Sequence, residues 1–414
     1  MTASQRGNPS VVPAGRRPEL DAIRALVVLG LFVFHSALVF ATDDDFYVKN
    51  DETTDAILIL GGFAVIWAMP MLFLIGGLGS WHSLRRRGPA GLATERLRRL
   101  GVPLLFATVA LLPLPQWYRQ RADPTYEESY LEFWPRFFNV RFAPENFPFV
   151  LRGSYFESGH LWFVVLLLVF SLLVAGAARW LPSRALASAH DRMAAAVRHR
   201  GVILLPAVPV AAVTAGLGME TDFAAWHRWA YLLFFLYGLL LATDGRFRAA
   251  MFRDAKLAAV IGATLFLAVL PGILLADDPF TDMTPLALAT RVAYGAAGWC
   301  WLVAILGLLD QRRMRRQPTP TSGISETSSA STVPSRYGWA RRWYSYIGPA
   351  VLPLYVLHQP VVVAVAFEVV KWELPMAVKF VIIVGASFVI TVAGYELFVR
   401  RFRLSRFLFG MRPT

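Results

Sequence analysis

The chain has 414 residues, 56% of them hydrophobic, and a mean hydropathy of +0.48. Soluble proteins are closer to about 45–50% apolar, and apolar runs of about 20 residues recur here, so composition excludes a soluble enzyme and predicts an all-α, polytopic membrane protein. The formal charge of +13 would suggest a nucleic-acid partner in a soluble chain; in a membrane protein its distribution reports topology, and no nucleic-acid role is expected. The single cysteine, Cys300, permits neither an intrachain disulfide nor a cysteine metal cluster.

Residues 1–18 are polar with Pro and Gly and read as a disordered cytoplasmic tail. The first apolar run, ELDAIRALVVLGLFVFHSALVFA from Glu19 to Ala41, is long enough to span a bilayer yet carries Asp21, Arg24 and His35. Ionisable groups at membrane depth are costly and are functional candidates. Arg24 and His35 lie eleven positions apart, three helical turns to within about 20°. They share one stripe with Val28 and Leu31, and roughly 16 Å of rise separates them. The arginine is expected near one membrane face and the histidine toward the other. Val39-Phe40-Ala41 resembles a signal-peptide cleavage site after a basic Arg16-Arg17 flank. The run is longer than a usual signal core, however, and Arg24 and His35 would be odd in a discarded segment.

Ten spanning helices are predicted, at 20–41, 56–80, 101–117, 160–179, 201–217, 227–243, 256–275, 286–309, 347–370 and 376–399. The fifth, interrupted by Pro206 and Pro209, is the least regular. With the N-terminus placed in the cytoplasm, inside segments hold 30 Lys/Arg and outside segments and helix ends hold 10, while 19 acids fall outside against 9 inside. This follows the positive-inside rule and sets both termini in the cytoplasm. Residues 19–400 thus form one transmembrane domain, and 401–414 a basic cytoplasmic tail. Two connections are long. Residues 116–159, extracytoplasmic by this count, are rich in aromatics such as Trp117, Tyr126 and Trp134, and suit a lid, an interfacial helix or a membrane-interface belt. Residues 317–335 form a low-complexity Ser/Thr/Pro linker on the cytoplasmic side.

The functional reading makes His35 a general base or an acyl-accepting nucleophile; the plainer reading is a structural helix with an Asp21–Arg24 pair and a histidine bonded to a neighbour. Arg85, Arg86 and Arg87 with Arg96, Arg98 and Arg99 form an inside basic cluster, fit for anchoring or for a polyanion such as coenzyme A phosphates. The fourth helix opens Glu157-Ser158-Gly159-His160, placing His160 close in depth to His35. The ninth reads Pro353-Leu354-Tyr355-Val356-Leu357-His358-Gln359-Pro360, where a His-Gln-Pro break suggests a polar cavity or a kink. Zinc, Walker, Rossmann and serine-hydrolase motifs are absent from the sequence. That argues against a metalloprotease, an ATP-driven pump and an appended hydrolase, and no metal is expected.

These residues carry a resemblance. Arg24 and His35 match the arginine–ten residues–histidine signature of the acyltransferase-3 membrane family, and Arg96 and Arg99 supply its R-x-x-R pattern. The segments GHLWFVVLLL, LPLYVLHQPVV and YELFVRRFRLSRFLFG resemble the branch of glucan-modifying, succinyl-transferring proteins. The resemblance implies transfer of an acyl group from cytoplasmic acyl-CoA (acetyl-CoA or succinyl-CoA) to a hydroxyl of a carbohydrate or lipid-linked glycan, in a bacterial plasma membrane. It implies that Arg24 and His35 are catalytic and that Arg96 and Arg99 belong to the donor side and bind acyl-CoA. Read from the residues themselves, Arg85 and Arg86 of the basic cluster are further acyl-CoA candidates, and His160, Tyr355, His358 and Glu157 are candidates for the acceptor side or for supporting the site. The linker before the ninth helix departs from the pattern. Two rival readings are a transporter or flippase exporting a glycan or acylated lipid, with His and Arg lining a path, and a non-catalytic membrane scaffold.

Overall fold

The computed structural model describes residues 18–42, 45–180, 183–316 and 338–411. Residues 1–17 of the expected tail at 1–18, and the linker at 317–335, lie outside them; residue 18 opens α1. Helices dominate: α1 (Pro18–Leu38), α2 (Ala56–Arg96), α3 (Val102–Ala110), α4 (Pro113–Arg121), α5 (Tyr130–Phe137), α6 (Trp162–Trp180), α7 (Ser183–Ala196), α8 (Ala207–Leu217), α9 (Arg228–Leu241), α10 (Gly245–Leu275), α11 (Pro285–Arg316), α12 (Gly338–Val369), α13 (Met376–Gly394) and α14 (Arg403–Leu408). One small antiparallel hairpin, β1 (Val140–Phe142) with β2 (Leu151–Gly153), sits in the long connection, pairing Arg141 with Arg152.

Among the described residues, seven helical stretches are long and apolar enough to cross a membrane. All ten predicted segments coincide with helix, but four of them do not stand as separate long spans. The second and third predicted segments belong to one helical run, Gly61–Arg121. The fifth and sixth form α8 and α9, of 11 and 14 residues, short of the roughly 20 that a bilayer requires. The prolines of the fifth segment start α8 rather than break it. Pro206 caps it and Pro209 lies in its first turn, where the missing N–H has no partner to lose.

The basic stretch expected as a loop at 82–99 is helical on both sides of a sharp reversal. Gly88 takes φ 70°, ψ −179°, a conformation open to glycine and strained for other residues. Pro89 follows it. The two limbs then run back along each other: Arg96 Nη2 donates to Ser80 Oγ at 3.0 Å, and Ser83 Oγ donates to Glu95. The aromatic connection is also ordered. Ser129 and Glu132 form a capping box at the start of α5, Phe133 and Phe137 are buried, and the Trp134 indole donates to the Val109 carbonyl at 3.0 Å. The basic tail expected from 401 contains α14, whose following Phe409 packs on Phe106 with ring centroids 5.3 Å apart.

Helix packing rests on close backbone approach, since lipid offers no hydrophobic drive between helices. Where α2 crosses α9, a Cβ on Gly77 would lie 2.0 Å from the Phe235 carbonyl oxygen, and one on Gly238 would lie 2.0 Å from that of Leu74. On α1, by contrast, Gly30 has open space around it. Gly77→Ala and Gly238→Ala are each expected to lower thermal stability in detergent, with an overpacking cost of about 1–3 kcal/mol, while Gly30→Ala leaves the melting curve in place. Equal melting temperatures for all three variants would refute this account of the α2–α9 crossing.

Candidate active site

Helix α1 turns its two faces to different surroundings. Leu26, Leu29 and Val33 are exposed, whereas Val28 is buried and Arg24, Leu31 and His35 lie on the inward side. The predicted stripe therefore faces the protein. At its far end three helices bring their histidines together. The His35 and His358 rings are 5.0 Å apart between centroids, and His358 and His160 are 5.1 Å apart. Phe32, one turn before His35, lies 5.6 Å from the His358 ring, and Phe46 stacks on His35 at 5.9 Å.

The cause of this convergence is legible in the chemistry of Pro360. Proline carries no N–H, so within α12 the carbonyl of Val356, four residues back, loses its helical donor. His160 Nε2 fills that vacancy at 3.0 Å. The contact is reciprocated: the Tyr355 hydroxyl, buried on the same helix, donates to the His160 carbonyl. His358 Nδ1 in turn bonds the Tyr355 carbonyl. Two bonds from side chains to backbone carbonyls thus staple the turn before α6 to the middle of α12, and α12 carries His358 against α1. One ring nitrogen of each histidine remains buried without a partner: His35 Nδ1, His160 Nδ1 and His358 Nε2. The amide oxygen of Gln359 is buried and unpartnered as well.

Glu157 stands beside this cluster rather than in it. Tyr47 Oη donates to its carboxylate, and Gly159, at φ +44°, lets the chain pass within reach: a Cβ there would lie 3.1 Å from the Tyr47 hydroxyl. Arg119 covers the Tyr47 ring at 4.9 Å and bonds Asp45 at 3.1 Å. Burial raises the Glu157 carboxyl above the usual carboxylate range, against the pull of its bonds to Tyr47 and Gln116 and of the nearby Arg119 charge; burial and Glu157 also raise the Tyr47 phenol. Tyr47, Gln116 and Arg119 were not singled out from the sequence. Tyr47 lies between α1 and α2, and Gln116 and Arg119 lie on α4, with no spacing that relates them, so only the fold shows the pairing.

At the other end of the stripe the guanidinium groups gather. Arg24 bonds Asp21 at 3.5 Å and its side chain is 37% exposed. A Cβ on Gly79 would lie 3.7 Å from Arg96 Nη2 and 4.0 Å from Arg24 Nη2, so the two arginines flank this glycine. Glu95 draws Arg87 at 2.6 Å and Arg99 at 3.5 Å. Arg85 and Arg86 are exposed near the end of the first limb, Arg85 over the Trp81 ring at 5.9 Å. They are not drawn into the Arg24–Arg96 pair. An open cavity of about 350 Å³ lies elsewhere, among Glu220, Asp222, Arg228, Asp278 and Phe280. A second, of about 210 Å³, lies between Pro89, Ala93 and Arg179. Neither is lined by the three histidines, and the site is assigned from the convergent imidazoles because acid–base work requires titratable groups in mutual reach.

The acyltransferase-domain family matches residues 17–396. The chain belongs to that family. It is an acyltransferase and a multi-pass membrane protein. It is 28% identical over 175 residues to the glucans biosynthesis protein C of Salmonella gallinarum (strain 287/91 / NCTC 13346), and 27% identical over 175 residues to that of Salmonella paratyphi B (strain ATCC BAA-1250 / SPB7). In both cases the match covers 42% of this chain and 42% of the relative. No solved structure matches.

Two predictions follow from the site's bonding. Pro360→Ala restores an N–H opposite Val356 and frees His160 from its carbonyl; helix propensity favours the alanine, so acyl transfer is expected to fall while the melting temperature holds or rises. A variant with full activity would show that the freed carbonyl is dispensable. For Glu157, the folded chain holds the proton more tightly than the unfolded chain. Its stabilising contribution is therefore present at low pH and lost as pH rises through the raised value. Glu157→Gln should flatten that decline in melting temperature as pH rises above the ordinary carboxylate range, and parallel curves for wild type and variant would contradict it.

Proposed function

We propose that this protein is an integral membrane O-acyltransferase that moves an acyl group, acetyl or succinyl, from cytoplasmic acyl-CoA to a hydroxyl of an extracytoplasmic or lipid-linked glycan. The observation that carries the reading is the two-ended stripe of α1, with guanidinium groups collected around Gly79 and imidazoles collected around His358. Arginine forks suit phosphate oxygens, so Arg24 and Arg96, with Arg99 nearby, seat the donor's phosphates. Arg85 and Arg86, exposed on the limb that leads to this end, are secondary candidates for the same donor.

The acyl end then meets His35. An acceptor hydroxyl gives its proton to the imidazole as its oxygen attacks the thioester carbonyl. The C–S bond breaks, and the leaving thiolate takes a proton back. Ester and free thiol are the products, and no nucleotide hydrolysis is required. His160, Tyr355 and Glu157 border the acceptor's approach. The printed name of the relatives, glucans biosynthesis protein C, supports a carbohydrate acceptor for this chain. The excess of basic residues in alternate connections supports cytoplasmic termini in a bacterial plasma membrane.

The direct assay is purified protein with labelled acyl-CoA and a glycan acceptor. His35→Ala is expected to lower turnover by about 10²–10⁴-fold, the usual worth of a general base. Arg96→Ala should chiefly raise KM for acyl-CoA. Normal turnover by a correctly inserted His35→Ala variant would remove the histidine from the mechanism.

A further inference from the structure

The bonding of the histidine cluster constrains where its protons reside. A backbone carbonyl can only accept a hydrogen bond, so a ring nitrogen bonded to one must carry the proton. His160 Nε2 bonds the Val356 carbonyl, and His358 Nδ1 bonds the Tyr355 carbonyl. None of the ion pairs among the described residues reaches these rings, and a lone buried charge is costly, so each is a neutral imidazole. His160 Nδ1 and His358 Nε2 are then lone pairs, both buried and both without a donor. Two lone pairs cannot satisfy each other. The Tyr355 hydroxyl is already committed to the His160 carbonyl. The third orphan in the cluster, His35 Nδ1, belongs to the ring next to His358, at 5.0 Å between centroids.

We propose that His358 is a positioning residue for His35: the two unpartnered nitrogens sit on neighbouring rings, and a small rotation of those rings lets the His358 Nε2 lone pair accept the proton carried by His35 Nδ1, which leaves His35 Nε2 as the unprotonated, reactive nitrogen. A chain of backbone carbonyl, His358 and His35 then does what a buried carboxylate does for the histidine of a serine hydrolase, fixing the tautomer and ring orientation of the base. It does so without placing a negative charge at membrane depth. The inference deepens the acyl-transfer reading, and rests on it only for the consequence at Nε2; the tautomer itself is a property of the resting protein. A competing donor is Ser36 Oγ, also buried and unpartnered. It lies one turn beyond Phe32, and a helical serine has its own carbonyl four residues back as an alternative acceptor.

The test is ¹⁵N NMR of histidine-labelled full-length protein in nanodiscs, with the His35 resonances assigned by difference from His35→Gln. The wild type is expected to hold the His35 proton on Nδ1, and His358→Leu to shift it toward Nε2. Ser36→Ala should leave the spectrum unchanged. In the acyl-transfer assay, His358→Leu should lower kcat by at least ~10²-fold with KM nearly constant. His358→Gln, whose amide oxygen can still accept near the Nε2 position, should recover most of that loss. If His358→Leu fails to fold, the wild-type tautomer and the His358→Gln variant still decide the matter. A wild-type His35 protonated on Nε2, a changed spectrum in Ser36→Ala, or a folded His358→Leu protein with wild-type kcat overturns the proposal. A protein that fails to use acyl-CoA but shows the expected tautomer overturns the donor assignment alone.

Discussion

A single missing N–H organises this site. Because Pro360 cannot donate, the Val356 carbonyl is left open in the interior of a membrane helix. An open carbonyl in so apolar a place is costly, and the imidazole of His160 supplies the donor at 3.0 Å. The bond joins two helices nearly 200 positions apart in the chain, and the Tyr355 hydroxyl returns the contact. The surroundings of His35 inherit their place from this pairing. His358 rides on the same turn of α12, and α12 packs against α1, so His35 meets a surface whose polar groups are already oriented.

The second organising element is α1 itself. One side of it is exposed through Leu26, Leu29 and Val33; the other carries charge at one end and an imidazole at the other. The fold completes each end with residues from elsewhere. The reversal at Gly88 folds the second limb of α2 back so that Arg96 reaches Ser80. The 3₁₀ turn at Gly159–Leu161 delivers His160. Glu95 gathers Arg87 and Arg99, so the arginines are not an undifferentiated basic patch.

Much of this was legible from the residues. Arg24 and His35 stood out because charge in an apolar run has few structural reasons, and helical periodicity alone put them on one face. His358 stood out because a His-Gln-Pro break in an apolar helix suggests a polar cavity or a kink; the carbonyl that Pro360 leaves open is the local form of that break. What sequence could not supply was the identity of the partner that fills it, because bonding between His160 and Val356 depends on tertiary placement. The basic stretch around Arg96 was misread as a loop for a related reason. Its six arginines between two apolar runs argued for a connection, and the tight helical reversal depends on cross-limb bonds that periodicity does not register. Among the described residues seven helical stretches have the length to cross a membrane: α8 and α9 carry the hydrophobicity of crossing helices without the length, and the second and third expected spans lie in one run that reverses at Gly88.

The reversal at Gly88 has a bearing on how such chains can diverge. Surface connections usually accept inserted residues at little cost. Here bonds between the limbs tie residues 80 to 96 and 83 to 95, so the turn has no slack to absorb a change of length. One extra residue would rotate the second limb by about 100° and swing Arg96 away from Ser80 and Gly79. Variation in chain length should therefore accumulate at other connections, leaving this bend as a ruler conserved in spacing even where its letters change.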